Sequence, residues 1–282
     1  MLSNPQQFYQ QYGLLSDPGK HNTALSGFPD DIKAICSMLN GIFLHIHWAS
    51  RMGVMLDEQR QAEVNIRSFE KMMDRLQELD TSPITTTRDF NKRIVGNCRD
   101  ISLLLSTILK NKGIPARSRC GFATYFTKGH YEDHWVCEYW HAAKKKWVMV
   151  DAQLNDFQRT ELKIDFNPYD VPSTHFITAG RAWQMIRQNK ADPNKFGIFK
   201  YKGEMFIAGN LQRDLLALNN IELLPWDLWG YLHKRYIQLA KADLKLLDEI
   251  AIITQLGDTG FPLVRKLYHE NKQFHPKEIW LK

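Results

Sequence analysis

The chain has 282 residues, 44% hydrophobic and 24% charged, with a formal charge of +6. This is the composition of a soluble globular protein long enough for a substantial core, in one large domain or two small ones. Four cysteines without paired short spacings exclude a disulfide framework and a zinc ribbon, and no stretch approaches the roughly 18 apolar residues of a membrane span. The positive charge permits contact with nucleic acid or anionic surfaces but does not argue for it. The basic residues are scattered, and the one tight run, Lys144-Lys145-Lys146, reads as a hairpin turn. The N-terminus shows no charged segment followed by an apolar run, so no signal peptide is expected. The cysteine usage and the absence of a leader predict a reducing, cytoplasmic location.

Residues 1–28 read as an irregular arm. Residues 30–50 are expected to be helical, with Ile32, Ile35, Cys36, Leu39, Phe43 and Ile46 on one face. His45 and His47 would then point about 200° apart on that helix and could not share a metal ion. Residues 57–79 predict a second helix, with Ala62, Ile66, Phe69, Met73, Leu76 and Leu79 as its apolar face. Residues 81–87, with Pro83 inside, form a loop.

The next stretch organises the chain. Asn97 is a good N-cap, Asp100 suits the positive end of a helix dipole, and Ile101, Leu104, Leu105, Ile108 and Leu109 recur at helical spacing. Gly113 and Pro115 supply the stop. Cys98 therefore sits at the first turn of a buried helix, where the dipole and free amides are expected to lower a thiol's pKa. On this stretch alone a nucleophile and a small apolar residue that happens to begin a helix are equal readings.

After Pro115 the period changes to two. Residues 116–126, 134–140 and 147–152 read as three antiparallel strands packed against the Cys98 helix. A turn centred between Ala142 and Ala143 sets His134 opposite Asp151, Val136 opposite Met149, and Glu138 opposite Trp147. Opposed side chains lie about 5 Å apart, close enough for a carboxylate to orient an imidazole. Cys98, His134 and Asp151 thus supply a thiol nucleophile, a base and its orienter, and the Cys98 backbone amide is the first oxyanion donor. A second donor is not identifiable. Cys36, Cys120 and Cys137 read as buried structural residues. His130 lacks an opposing carboxylate, and His141 lies at the wrong end of the hairpin. Trp135, Tyr139, Trp140 and Trp147 are candidates to line a cleft, but at least half should be core, because alternate strand residues face opposite sides. Beyond Pro168 and Pro172, residues 173–188 read as a helix. Residues 197–201 and 204–208 read as a hairpin about Lys202-Gly203, and residues 211–218, 226–240, 243–256 and 262–270 as helices. No linker is marked, so one domain over 1–282 is expected. Its core would span about 84–165, with helical segments at about 30–80 and 173–282.

Three segments together resemble the transglutaminase-like superfamily: Gly96-Asn97-Cys98-Arg99-Asp100, Asp133-His134-Trp135-Val136-Cys137-Glu138, and Trp147-Val148-Met149-Val150-Asp151-Ala152. Gly113-Ile114-Pro115-Ala116-Arg117 fits the same pattern, and the resemblance spans about residues 84–155. Ala179-Gly180-Arg181-Ala182-Trp183-Gln184 and Leu224-Pro225-Trp226-Asp227 resemble a bacterial group of such proteins. The resemblance implies an α+β, papain-like fold with Cys98 as nucleophile, His134 as base and Asp151 as orienter. It does not imply one activity, since the superfamily holds amide cross-linkers, thiol proteases, peptide glycanases and non-catalytic members. Nothing resembles its calcium-binding parts or paired-cysteine zinc elements, so no metal or other cofactor is expected. The expected function is hydrolysis or transfer at an amide or acyl bond of a peptide, protein or small substrate, through a thioester. Neither nucleic acid nor membrane is an expected partner. The alternatives are an arylamine acetyltransferase-like enzyme using an acyl-coenzyme A donor, and a non-catalytic binding module on the same fold.

Overall fold

The computed structural model describes residues 4–231 and 239–281. The helices are α1 (Pro5–Gln10), α2 (Ile32–Ile42), α3 (Glu58–Ala62), α4 (Phe69–Leu79), α5 (Cys98–Asn111), α6 (Asp156–Glu161), α7 (Ala179–Arg187), α8 (Glu204–Ala217), α9 (Lys241–Ile253) and α10 (Phe261–Glu270). The strands are β1 (Phe43–His45), β2 (Ile94–Gly96), β3 (Ala116–Ala123), β4 (Tyr131–His141), β5 (Lys146–Val150), β6 (Phe176–Thr178), β7 (Phe196–Ile198) and β8 (Tyr201–Lys202). The class is α+β: α5 packs on the antiparallel pair β3–β4, with further helices before and after. β6 pairs with the free edge of β3. The other edge of β4 takes β5 along its second half and β7, in parallel, at Tyr131 and Glu132.

Two hydrophobic clusters form the bulk of the core. In one, Ile35 and Leu39 of α2 and Phe69, Met73 and Leu76 of α4 pack on Ile101, Leu104, Leu105 and Ile108 of α5. In the other, Phe122 of β3 meets Trp183 of α7, Leu211 and Leu215 of α8, and Leu247 and Ile250 of α9. Each such side chain contributes roughly 1.5–3 kcal/mol on burial. Every residue of α5 from Arg99 to Lys110 is buried, so its polar groups need partners. Ser102 Oγ donates to Ser118 Oγ at 2.9 Å, Thr107 Oγ1 to the Ser16 carbonyl at 3.0 Å, and Lys110 Nζ to Asn220 Oδ1 at 3.0 Å.

Several elements differ from their sequence expectation. The arm carries α1 and a 3-10 segment, Gly19–Gly27. The helix at 30–50 stops at Ile42, because Phe43–His45 turns extended to pair in parallel with Ile94–Gly96. The helix at 57–79 is two helices with a break. Glu63 is drawn into the interior, where its carboxylate accepts from the Val95 N–H at 2.9 Å and pairs with Arg60 and Arg75, each at 2.8 Å. Ser68 then caps a new helix, its side chain accepting from the Lys71 N–H. Residues 176–178 are strand, not helix. The hairpin turns at Phe199-Lys200, and Gly203, at φ 100°, opens α8 instead of centring a turn. Residues 226–231 are not α-helical, and the rest of the helix expected at 226–240 falls largely outside the described residues.

Candidate active site

Cys98 is the first residue of α5. Asn97 Oδ1 accepts from the Arg99 N–H at 2.9 Å, and Asp100 Oδ2 accepts from the Asn97 N–H at 2.8 Å. This capping box fixes the helix start. The Asn97 carbonyl takes the N–H groups of Asp100 and Ile101, so none of these bonds uses the Cys98 N–H. A side chain at Gly96 would collide with the Phe43 ring at 2.6 Å and the Asp100 carboxylate at 2.8 Å, so glycine lets β1 close on the turn before the nucleophile. The Arg99 guanidinium is fully buried. It pairs with Asp100 at 2.9 Å and donates through Nε to the Glu222 carbonyl at 2.7 Å.

The structure brings the three predicted residues together, though not in the predicted register. β4 and β5 are displaced by two residues: Glu138 lies opposite Met149, and Cys137 opposite Val150. The turn holds Ala142–Lys144 plus Lys145 at φ 48°, so its centre falls later than the symmetric guess. A two-residue displacement keeps every side chain on its own face. Asp151, just past the end of β5, reaches His134 as a diagonal neighbour. His134 Nε2 and Asp151 Oδ2 are 2.8 Å apart, with side chains 2% and 1% exposed. This leaves Nδ1 as the ring nitrogen for the thiol. The Cys98 thiol helps to raise the imidazole's pKa, and the imidazole pulls the thiol's down.

Sequence reasoning missed Tyr125. Its hydroxyl donates to the same Asp151 Oδ2 at 2.5 Å, while Asp151 Oδ1 accepts from the Gln153 N–H at 3.1 Å. The carboxylate is therefore fixed from three directions. Phe126 stands edge-on to the His134 ring at 4.9 Å, and Tyr125 and Phe176 stand at 6.0 and 6.3 Å. The strand expected at 116–126 stops at Ala123, so residue 125 lies in the loop after β3.

Burial alone would push the His134 pKa down. The Asp151 charge and hydrogen bond, with the Cys98 thiol, outweigh it and raise the pKa to about 10. Burial pushes the Cys98 thiol up, and the opposing pull of His134 and of the Trp135 amide is smaller. The expected fall in the thiol's pKa at the helix start is thus corrected: packing against Cys120, Trp135 and Ala217 costs the thiolate more water than the dipole replaces. Even so, Cys98 alone of the four cysteines keeps some exposure. Cys36, Cys120 and Cys137 are buried, and burial raises the pKa of each. Two buried donors beside Cys98, Asn97 Nδ2 and Trp135 Nε1, have no partner among the described residues.

The remaining candidates separate. His130 Nε2 faces the Gly197 carbonyl at 3.3 Å, and His141 Nδ1 accepts from the Lys144 N–H in the distal turn. His45 and His47 are not on a helix. Their rings are 5.5 Å apart, and burial, then the charges of His47 and His134, hold the His45 pKa well below its usual value. Among the described residues no group of three or more His, Cys, Asp or Glu could hold a metal ion, and no helix is long and apolar enough to cross a membrane. Trp135 is core, whereas Trp147 is only partly buried.

The His134 pKa sets a pH dependence of stability. The folded value lies above the usual 6.5, so the stabilisation is complete below about pH 6.5 and is lost as the pH rises toward 10. The slope is at most about 1.4 kcal/mol per pH unit. The buried thiols add a slope of the same sign, but only from about pH 8.5. Urea unfolding between about pH 6.5 and 8.5 is expected to show falling stability in the wild type and a flatter profile in His134→Gln. Parallel profiles would mean that the folded imidazole is uncharged.

A cysteine at a helix start, facing a histidine held by a buried carboxylate on an antiparallel sheet, defines a thiol-centred α+β site. Residues 56–152 match the model of the transglutaminase-like superfamily, so the chain carries a domain of that superfamily. The match begins earlier than the resemblance read from the motifs and takes in α3 and α4. No curated protein matches the chain. Among solved structures, the chain is similar to "a Putative Cysteine Protease from Cytophaga hutchinsonii", with 15% identity, a TM-score of 0.35 and 60% of this chain covered. The chain spans less than half of that protein, 44% of its length.

Proposed function

We propose that Cys98, His134 and Asp151 form a catalytic triad that cleaves or transfers an acyl group through a thioester at Cys98. The observation that carries this reading is the buried 2.8 Å contact of His134 Nε2 with Asp151, on an imidazole that also meets the thiol. With a pKa near 10 the imidazole is a cation at neutral pH, so it is already the acid that a leaving amine requires. The fraction of Cys98 that is ionised beside the imidazolium attacks the acyl carbon, and the carbonyl oxygen becomes an oxyanion that takes the Cys98 N–H. His134 gives its proton to the departing nitrogen. Neutral His134 then removes a proton from water or an acceptor amine, which attacks the thioester and frees Cys98.

The raised thiol pKa favours a second reading, a binding module whose cysteine is never ionised. One experiment separates them. Protein incubated with p-nitrophenyl acetate is followed by intact and peptide mass spectrometry. A hydroxylamine-labile acetyl group on Cys98, absent in Cys98→Ala, is expected. Acetylation confined to lysines, with Cys98 unmodified, would leave the binding module as the better reading.

A further inference from the structure

Cys98, His134 and Asp151 do not line the large cavity beside the sheet. A cavity of about 670 Å³ opens along the sheet, walled by Trp147, Met149 and Phe176 and reached by Arg117, Glu138 and Arg181. Arg117 is four residues along β3 from Gly121, the partner of His134, or about 13 Å at the usual strand rise. We infer that this cavity is a binding site for a small organic monoanion, a carboxylate with an apolar or aromatic body.

The charges decide the class. Arg119 is satisfied within the protein: its Nε and Nη2 donate to the two oxygens of Asp214, each at 2.9 Å, and its Nη1 donates to Glu138 Oε2 at 3.3 Å. Arg117 is not. Its Nε donates to Glu138 Oε2 at 2.7 Å, but no carboxylate among the described residues accepts a hydrogen bond from its two terminal nitrogens. The guanidinium is 97% buried by its 3% residue exposure, and it lies 3.9 Å over the Trp147 ring and 4.6 Å over that of Tyr9. A planar cation held against two perpendicular rings, its terminal edge meeting no carboxylate among the described residues, presents a fixed fork to a carboxylate. Arg181, exposed on α7, has no ion pair among the described residues and faces the same space. Glu138 stays ionised, because Arg117 and Arg119 outweigh the effect of its burial. Asp258 sits at the rim, holding the Trp147 indole N–H at 2.8 Å. Arg117 and Arg119 are balanced by Glu138 and Asp214, so among the described lining residues Arg181 is the one cation left over, which suits a monoanion and not a dianion. One carboxylate can take Arg181 and the terminal edge of Arg117 together, and the apolar walls take its body.

The test follows the Trp147 indole N–H by ¹⁵N NMR in the full chain, assigned with Trp147→Phe. N-acetylphenylalanine is the probe, its amide the neutral control, and phenyl phosphate the dianion. Saturable shifts with the acid are expected, with little response to the amide or the phosphate. Arg181→Gln, an exposed change that leaves the fold intact, should weaken the acid about tenfold or more. Cys98→Ala should bind it as well as the wild type, so this site stands or falls separately from the triad. No saturable shift below 10 mM on the order of weak carboxylate binding, equal binding of acid and amide, or indifference to Arg181→Gln would overturn the assignment.

Discussion

Hydrolysis of an acetyl group on Cys98 is expected to slow by roughly 10²–10⁴-fold in His134→Gln. The thioester must be attacked by water, and neutral His134 is the base beside it. Asp151→Asn should slow the same step in the same direction, because the imidazole loses both its orienting acceptor and the charge that raises its pKa. The two changes should also move the reactivity of the free thiol. Burial raises the Cys98 pKa and His134 partly offsets it, so alkylation should climb above the ordinary thiol range in the wild type and later still in His134→Gln. Both quantities come from site-resolved mass spectrometry over a pH series. A thioester that hydrolyses equally fast in wild type and His134→Gln would falsify the assignment of the base.

Arg119→Met should cost about 3–5 kcal/mol of stability, read from urea midpoints. The guanidinium holds Asp214, a fully buried carboxylate whose remaining hydrogen bond is from the Cys120 N–H at 3.0 Å. Burial disfavours the Arg119 charge, and the coulombic pull of Asp214 and then Glu138 more than restores it. Losing the cation strands Asp214 in the interior and leaves Glu138 to Arg117 alone. The double variant Arg119→Met/Asp214→Asn should recover much of the loss, since removing both members of a buried pair is far milder than removing one. Cys120 packs against Cys98, so the single variant should disturb the nucleophile's wall as well. A loss below about 1 kcal/mol would show that water reaches the pair.

The Cys98 helix was legible because its determinants are local. The cap at Asn97 and Asp100, the apolar spacing and the Gly113 stop all lie within one short stretch. His134 and Asp151 were legible for a different reason. Strand periodicity preserves the face even when the register moves, so a turn misplaced by one residue still brought the right side chains together. What failed depended on distant partners. Glu63 breaks a periodic helix to reach Val95, and Phe43–His45 leaves a helix to pair with Ile94–Gly96. Periodicity carries no record of either demand. Tyr125 escaped because the strand expected at 116–126 stops at Ala123 and the loop beyond it places that side chain, and the thiol's pKa because neighbours in space, not the helix start, set its desolvation.

The buried polar groups of α5 and β3 have a bearing on how the protein is cut for study. Arg99 rests on the carbonyl of Glu222, Lys110 on Asn220, Arg119 on Asp214 and Thr107 on Ser16. All four of those partners lie beyond residues 56–152, the stretch matched by the superfamily model. An excised polypeptide of that length would carry three buried cations each missing an acceptor and a helix with its far side bare. Expression of it is expected to give insoluble material. Recognition by similarity and autonomy of folding have different boundaries here, and truncation should follow the second.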